Sequence, residues 1–404
     1  MVSEMTAELL YLSGGARVST RPDTESLGPR SHVLEVVNAL PRPGFRVRPY
    51  IVGDEVPERF GQEGSEAALG RSRASVLLAD LARFALRWRS RARLRRRLPV
   101  QPLFAYERYA LFQDLGRTPQ RRGVPWVLEV NALLADESTG PRRTTTSRRL
   151  ARHFERRTFA RADLLIAVTA ELKAALVGRY QIDQDKVLVL ANGVDASRFD
   201  GVRPTDGTPT DEPTIVFVGT LYPWQGLDQL IRALALPGRA RPRLVIAGDG
   251  PEEQPLRALV HELGLDDRVT FCGRVHPDEV GAVLERADVC FAGHHAARGT
   301  YFSPLKLWEY LAAGKPVLSS RHAMAAELIE DGYALRCFEE SSPSSIRDAL
   351  DDVVADVDKL TALADAGRER VRRQHSWEAR VRALLAELET RGLVPTADMG
   401  AQVS

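Results

Sequence analysis

The stretch Tyr301-Phe302-Ser303-Pro304-Leu305-Lys306-Leu307-Trp308-Glu309-Tyr310-Leu311-Ala312-Ala313-Gly314 concentrates more chemistry than any other in this chain. Ser303-Pro304 reads as a helix start, with serine at the N-cap and proline at the first helical position. A helix N-terminus presents free backbone N–H groups and the positive end of a dipole, which suits an anion such as a diphosphate. Lys306 and Glu309 lie three apart and share a helical face near that terminus. A lysine there can pair with phosphate, and a carboxylate can accept from ribose hydroxyls. A capped helix with one surface ion pair accounts for the same residues equally well.

Other groups able to do chemistry are more scattered. Asn131 follows the apolar run Trp126 to Val130, with Glu129 two residues before it. Asparagine can hydrogen-bond but is no base near neutrality. Glu129 and Glu137 are the nearest acids, able to orient an acceptor or to form buried ion pairs. Tyr106-Glu107-Arg108 follows an expected strand end, which makes Glu107 and Arg108 acceptor contacts or packing partners of an arginine-rich segment. His32 near a glycine suits a phosphate or acceptor contact, or simple helix packing. His294 and His295 are adjacent and no carboxylate completes a metal set, while Asp356-Val357-Asp358 reads as a surface acid pair, so no metal site is expected. Gly248-Asp249-Gly250 continues into Pro251-Glu252-Glu253 without a third glycine, which argues against a nicotinamide-dependent oxidoreductase.

These residues need a scaffold, and the chain reads as two α/β domains. Its 404 residues exceed what a single hydrophobic core supports. Short apolar runs at Leu9–Leu12, Val100–Tyr106, Trp126–Val130, Leu164–Val168 and Val187–Leu190 alternate with helical patterns. The rhythm resumes at Thr214–Val218, Arg243–Ala247, Val269–Cys272, Val289–Ala292, Pro316–Ser319 and Ala334–Cys337. Between them, Asp200–Pro213 is rich in Pro, Gly, Thr and Asp and reads as a linker. Alternating strands and helices imply parallel sheets that bind ligands beyond the carboxyl ends of their strands.

Composition narrows the partners. The formal net charge is +2, with 56 basic residues of which only five are lysine. That arginine bias matches a GC-rich, actinobacterial codon habit better than a nucleic-acid surface, and no nucleic-acid partner is expected. Residues 71–97 nevertheless hold ten arginines against Asp80 alone. Because Phe84, Leu86, Trp88 and Leu94 do not share one face, a solvated helix is favoured over peripheral membrane contact. Cys272, Cys290 and Cys337 sit among apolar residues and suit buried thiols in a reducing cytosol. With no basic region before Leu9–Leu12 and no run of about 18 apolar residues, a cytoplasmic location is expected.

The segment from Tyr301 resembles the donor-binding signature of family-4 retaining glycosyltransferases of the GT-B fold, in the subgroup with a Ser-Pro-Leu-Lys-Leu-x-Glu-Tyr core. Gly28–Leu40 resembles that family's first glycine loop and helix, Val124–Glu137 its Glu-Val-Asn segment, and LANGVDASRF at 190–199 its domain-closing stretch. VGTLYPWQGLDQL and VIAGDG resemble the opening of its second domain. The resemblance implies an α/β GT-B architecture: two Rossmann-like doubly wound domains facing each other across a cleft. It places the acceptor-binding domain at 1–199, the linker at 200–213, the nucleotide-sugar domain at 214–375, and a helix at 376–394 crossing back to the first domain. It further implies transfer of a sugar from a nucleoside diphosphate, with retention and with no cofactor beyond that co-substrate.

On that basis the donor contacts are Gly28, Gly219, Thr220, Gln225, Gly226, Gly248, Arg274, Val275, Arg298, Tyr301, Ser303, Pro304, Leu305, Lys306 and Glu309. Asn131, Glu129, Lys306 and His32 are the reaction-centre candidates, and Glu107, Arg108 and Glu137 the acceptor candidates. Departures from the family are Tyr301 in place of a glutamate, Thr220 and Gln225 in place of an arginine and a lysine, and Asn131 in place of a histidine. They leave a non-catalytic binding relative as the rival reading, with Lys306 and Arg298 or Arg30 as replacement cations. The acceptor is expected to be a small natural-product intermediate, with an envelope or exopolysaccharide lipid as the alternative.

Overall fold

The computed structural model describes residues 8–21, 28–41, 46–57, 73–98, 102–137, 145–205, 211–294 and 303–395. The chain forms two compact units. The first comprises Met1–Asn192, Tyr301–Ser303 and Trp377–Ser404, the second Gly193–Thr300 and Pro304–Ser376.

The first unit is built on six parallel strands: β1 (Glu8–Ser13), β2 (Arg46–Ile51), β3 (Ala105–Arg108), β4 (Trp126–Val130), β5 (Leu164–Ala167) and β6 (Val187–Val189), in the order β2-β1-β3-β4-β5-β6. Strands β4 and β5 are buried at every position, which is why they read as unbroken apolar runs. Strand β2 escapes sequence reading for the opposite reason. It lies at the sheet edge, its first four residues Arg46, Val47, Arg48 and Pro49 are not buried, and proline is tolerated there because no further strand needs its missing N–H. The expected strand at Val100–Tyr106 forms later, over Ala105–Arg108, so Glu107 and Arg108 lie inside the strand rather than beyond it. Helices α1 (Gly28–Ala39), α2 (Arg73–Arg97), α3 (Arg148–Arg161) and α4 (Ala170–Tyr180) accompany the strands.

The second unit orders its strands β12-β11-β10-β7-β8-β9: β7 (Thr214–Val218), β8 (Arg243–Ala247), β9 (Val269–Gly273), β10 (Val289–Ala292), β11 (Val317–Ser320) and β12 (Leu335–Phe338). Chain direction across the sheet reverses between β7 and β10, so a crevice opens at the carboxyl ends of those two strands. Helices α5 (Leu227–Leu234), α6 (Glu253–Glu262), α7 (Val280–Glu285), α8 (Leu305–Ala312), α9 (Ala323–Glu330), α10 (Pro343–Ala355) and α11 (Val357–Gln374) complete it. One core joins Phe217, Leu244, Ile246 and Phe291 of the sheet to Leu230, Leu256, Ile346 and Leu350 of the helices.

The stretch after Asn192 is fixed to this unit. The Arg368 guanidinium donates to the carbonyls of Phe199, Asp200 and Val202, so residues 200–205 are anchored rather than free. Asp356 starts α11 and pairs with Arg336 at its surface. Of the three thiols only Cys290 is fully buried; Cys272 is exposed, because it falls on the solvent side of β9, whose burial alternates.

Helix α12 (Trp377–Thr390) belongs to the first unit. It buries Val381, Leu384, Leu385 and Leu388, which recur at helical spacing. The Trp377 indole N–H donates to Glu35 Oε2 at 2.7 Å, and the ring meets His32 edge-on at 5.3 Å between centroids.

Candidate functional site

The crevice of the second unit is floored by glycine backbone. Beyond β7, Gly219 has φ of +145°, and beyond β8, Gly248 has φ of +143°. A Cβ on Gly248 would lie 1.9 Å from the Gly219 carbonyl oxygen, so the two loops can meet only because position 248 carries no side chain. Their amides are tied back to the sheet, Gly219 N–H to the Ala247 carbonyl at 2.9 Å and Gly248 N–H to that of Gly273 at 2.7 Å. Gly250 likewise packs on Leu221, where a Cβ would come within 2.6 Å of the carbonyl oxygen. The following turn, Pro223–Gln225, ends at Gly226 in the left-handed conformation, which also starts α5.

Lys306 lies over this floor. Its Nζ donates to Gln225 Oε1 at 2.8 Å, sits 4.0 Å from the centroid of the Phe217 ring, and lies 3.2 Å from where a Gly219 Cβ would be. Helix α8 is held in place one turn on, where the Tyr310 hydroxyl accepts the Val218 N–H at 2.9 Å. Among the described residues no carboxylate lies within ion-pair distance of Lys306. Burial pushes its ammonium down to about 7, with the more distant charge of Glu309 resisting. Burial likewise raises the Glu309 carboxyl, against the pull of Arg198 and Lys306. Arg198 approaches Glu309 at 3.4 Å and donates to the Pro277 carbonyl at 2.6 Å. Sequence reading missed Arg198, whose signal was its place in the LANGVDASRF stretch.

Other expected donor contacts are less engaged. Arg274 is more than half exposed, 3.3 Å from Asp249, and Val275 follows it in the loop beyond β9. Thr220 is half-buried, its carbonyl accepting the Tyr222 N–H. Arg298, Tyr301 and His295 lie outside the described residues, as does the side chain of Glu137.

The expected cap at Ser303 differs. Helix α8 begins at Leu305 with Pro304 in the cap position, extended at φ −71° and ψ 125°, and no side chain caps it. Because Pro304 is itself extended and holds the cap position, Ser303 lies one residue outside the helix. It groups with the first unit, where its hydroxyl accepts the Asn192 N–H at 3.3 Å and its carbonyl the Asn192 amide at 2.7 Å. The first turn of α8 therefore keeps its own N–H groups without a serine oxygen among them.

A second cluster lies in the first unit. Glu129, on β4, is almost wholly buried, and its carboxylate receives the Tyr106 hydroxyl and the Asn131 amide. His32 Nε2 of α1 lies 3.1 Å from Oε1, a charge contact off the line of a ring N–H. Burial alone would raise the Glu129 carboxyl, but His32, Arg108 and the Tyr106 hydrogen bond outweigh it and hold it at about 2. Glu129 is thus a fixed anion enclosed by donors rather than an accessible base. Because a carboxylate only accepts, Asn131 must present its amide nitrogen inward and its carbonyl oxygen away. Gly28 opens α1.

Glu107 stands apart from this cluster. It is fully buried and accepts the Leu115 and Gly116 amides, both at 2.8 Å, so it braces the loop after β3. Burial pushes its carboxyl up to about 8 against those amides. Arg108 ends β3 half-buried, its Nε without a partner among the described residues.

Known proteins resolve the architecture. Residues 28–198 match the family described as Glycosyltransferase Family 4, and residues 200–370 that described as Glycosyl transferases group 1. Each unit is thus similar to a glycosyltransferase-family domain, and the fold is GT-B. Sucrose-phosphate synthase from Thermosynechococcus elongatus superposes with a TM-score of 0.70 at 18% identity, covering 96% of this chain and 99% of that one. HepE from Anabaena, solved in complex with UDP and glucose, gives 0.66 at 18% identity over 95% of this chain and 100% of its own. By sequence, a GDP-mannose-dependent α-(1-6)-phosphatidylinositol monomannoside mannosyltransferase of Mycobacterium tuberculosis is 33% identical over 47% of this chain and 52% of its own length. A D-inositol 3-phosphate glycosyltransferase of Nocardia farcinica is 30% identical over 66% and 62%. The GT-B chain thus spans between about half and two thirds of these relatives' lengths.

Proposed function

We propose that this chain is a retaining, metal-independent glycosyltransferase that moves a sugar from a nucleoside diphosphate sugar to a hydroxyl acceptor. The observation that carries the reading is Lys306, a lysine with no carboxylate in reach, set over bare glycine backbone at the switch point of a doubly wound sheet. Such a group is costly in the free protein and is relieved by an anion. Gln225 stands where the wider family has a lysine, and its carbonyl oxygen is what Lys306 donates to. The cation has in effect moved from the loop to the helix, since two lysines at this spot would repel each other.

In this reading Lys306 and the free amides of α8 hold the diphosphate, and Gly219 and Gly248 let it approach the backbone. Glu309 accepts from the ribose, with Arg198 fixing its orientation, while Arg274 and Val275 border the base. Asn131, aligned by Glu129, turns its carbonyl oxygen to a sugar hydroxyl; His32 keeps Glu129 ionised. The bond from the anomeric carbon to phosphate oxygen breaks as the acceptor oxygen bonds on the same face, and the acceptor proton passes to the departing phosphate. No side-chain base is required, which suits an asparagine at 131. Glu107 is assigned to loop support.

The donor nucleotide is UDP or GDP, the two named with the matching structures and relatives. Those relatives' inositol-bearing acceptors favour a cyclitol-type acceptor, either a small natural-product intermediate or, as the alternative, an envelope lipid. We place the reaction in the cytoplasm. The test is release of nucleoside diphosphate from a panel of UDP-, GDP-, ADP- and TDP-sugars, with and without a chelator. One donor should support release that the chelator leaves unchanged and that Lys306→Ala sharply reduces. Binding without release from any donor would instead make this a non-catalytic relative.

A further inference from the structure

Helix α2 carries nine arginines among its 25 residues, together with exposed apolar residues, in an arrangement the transfer reaction does not use. Its inner side is occupied. Phe84 packs on Phe112 and Phe154, Leu94 is buried with Leu86 against it, and Asp80 is buried under Thr145, Thr146 and Arg83. Arg87 and Arg91 hold Asp114, and Arg93 and Arg97 hold Glu55.

The outer side is different. Leu77, Leu78, Leu81 and Trp88 are 48%, 66%, 56% and 69% exposed, with exposed Ala82, Ala85 and Ala92 between them. At 100° per residue positions 77, 81, 85, 88 and 92 form one stripe. From Leu77 to Trp88 that face contains no polar residue, and its C-terminal end carries exposed Arg89, Arg95 and Arg96. None of these three has a carboxylate within ion-pair distance among the described residues. The neighbouring α3 adds Leu150, 48% exposed. Between the helices lies a cavity of about 320 Å³ lined in part by Phe154, Arg157 and Arg161 and by Asp114, whose carboxylate is already paired with Arg87 and Arg91. Arg157 and Arg161 also lack an acid partner among the described residues.

Scattered exposed leucines are ordinary, but Leu77, Leu81 and Trp88 on one stripe, with Leu78 beside it, mark a contact surface. We propose that the outer face of α2 docks on an anionic phospholipid surface. The leucines and Trp88 enter the boundary between headgroups and acyl chains, while Arg89, Arg95 and Arg96 pair with lipid phosphates. The recess with Arg157 and Arg161 accommodates a phosphate headgroup. The charge decides the occupant: an acid-free face ending in uncompensated arginines complements a sheet of phosphates. Helix α2 lies on such a surface rather than crossing it, because no described helix is long and apolar enough to span a membrane. The sequence alone suggests a solvated helix because Phe84, Leu86 and Leu94 obscure the stripe; folding removes them to the inner side.

The inference stands on the first unit's surface and does not rest on the transfer reading. The test is flotation of the full chain with vesicles of phosphatidylcholine, with and without phosphatidylglycerol, at low and high salt. Wild type should float only with the anionic vesicles and release at high salt. The Arg89→Glu, Arg95→Glu, Arg96→Glu variant should lose about a hundredfold in partitioning. Replacing Leu77, Leu81 and Trp88 by Gln should also abolish flotation while leaving the melting temperature and sugar-nucleotide binding unchanged, since the changed side chains are exposed. A blue shift of tryptophan emission on vesicle addition should vanish in Trp88→Phe. Failure of wild type to bind, or equal binding by the Gln variant, overturns the proposal. So does a wild-type dimer that the Gln variant makes monomeric with no vesicle binding by either, since the face would then join two copies of this chain.

Discussion

If Lys306 receives the donor diphosphate, sugar-nucleotide binding must take up a proton. Burial holds the Lys306 ammonium near 7 against an ordinary 10.5, which corresponds to about 5 kcal/mol of disfavoured charge. Part of the side chain still meets solvent, so this figure is an upper limit. At pH 8 only about a tenth of the free protein carries the charge, whereas a diphosphate beside Nζ restores it. Binding at pH 8 should therefore absorb close to one proton, and at pH 6 close to none. The sign follows. The free-state pKa is low and the bound-state pKa high, so affinity is fullest below about 7 and falls by up to about tenfold per pH unit as pH rises towards the bound-state value. Calorimetry of UDP-glucose and GDP-mannose in buffers of different ionisation enthalpy measures this uptake directly. Sugar nucleotides are the right probes because their diphosphate oxygens stay ionised throughout. Lys306→Met should abolish the uptake and weaken binding most at low pH, while Glu309→Gln should keep it. Uptake that persists in Lys306→Met, or is absent from wild type at pH 8, would refute the assignment of Lys306 to the phosphates.

Three further outcomes follow from the geometry. Glu129→Leu should destabilise the protein by about 3 to 5 kcal/mol in urea unfolding, because His32, Tyr106 and Asn131 lose a buried anion; the wild-type contribution should be present above the ordinary carboxyl range and fade only as pH falls towards 2. Gly248→Ala forces a Cβ onto the Gly219 carbonyl oxygen at a positive φ, and should cost about 3 kcal/mol or more and abolish sugar-nucleotide binding in a thermal-shift assay. Trp377→Phe keeps the packing on His32 but loses the hydrogen bond to Glu35, for about 1.5 to 3 kcal/mol by chemical denaturation, whereas Trp377→Ala should cost about 3 to 5.

Buried elements were the legible ones. Strands such as β4, β5, β7 and β10 lie between helices, so burial on both faces writes them as apolar runs whatever their neighbours. Edge strand β2 was illegible because nothing beyond it requires apolar side chains, and Pro49 with its flanking arginines reads as loop. The Ser303 cap failed for a local reason of another kind: Ser-Pro carries the N-cap signature, but Pro304 is itself extended and holds the cap position, and Ser303, one residue further out, pairs with Asn192 instead.

At the site, spacing alone put Lys306 and Glu309 on one helical turn, whereas the glycines came from the resemblance to family-4 glycosyltransferases. Sequence could not assign Glu107 and Glu129 their different duties. Both are acids on adjacent buried strands, yet one meets backbone amides and the other a histidine and a tyrosine from distant segments besides the nearby Asn131. Nor could it tell the inner face of α2 from the outer. Residue type and period fix which positions can be apolar, charged or bare backbone. Which polar group answers a buried charge, and which apolar face is left without a partner, are settled only when segments far apart in sequence pack together, because Coulomb and desolvation energies depend on distances in space.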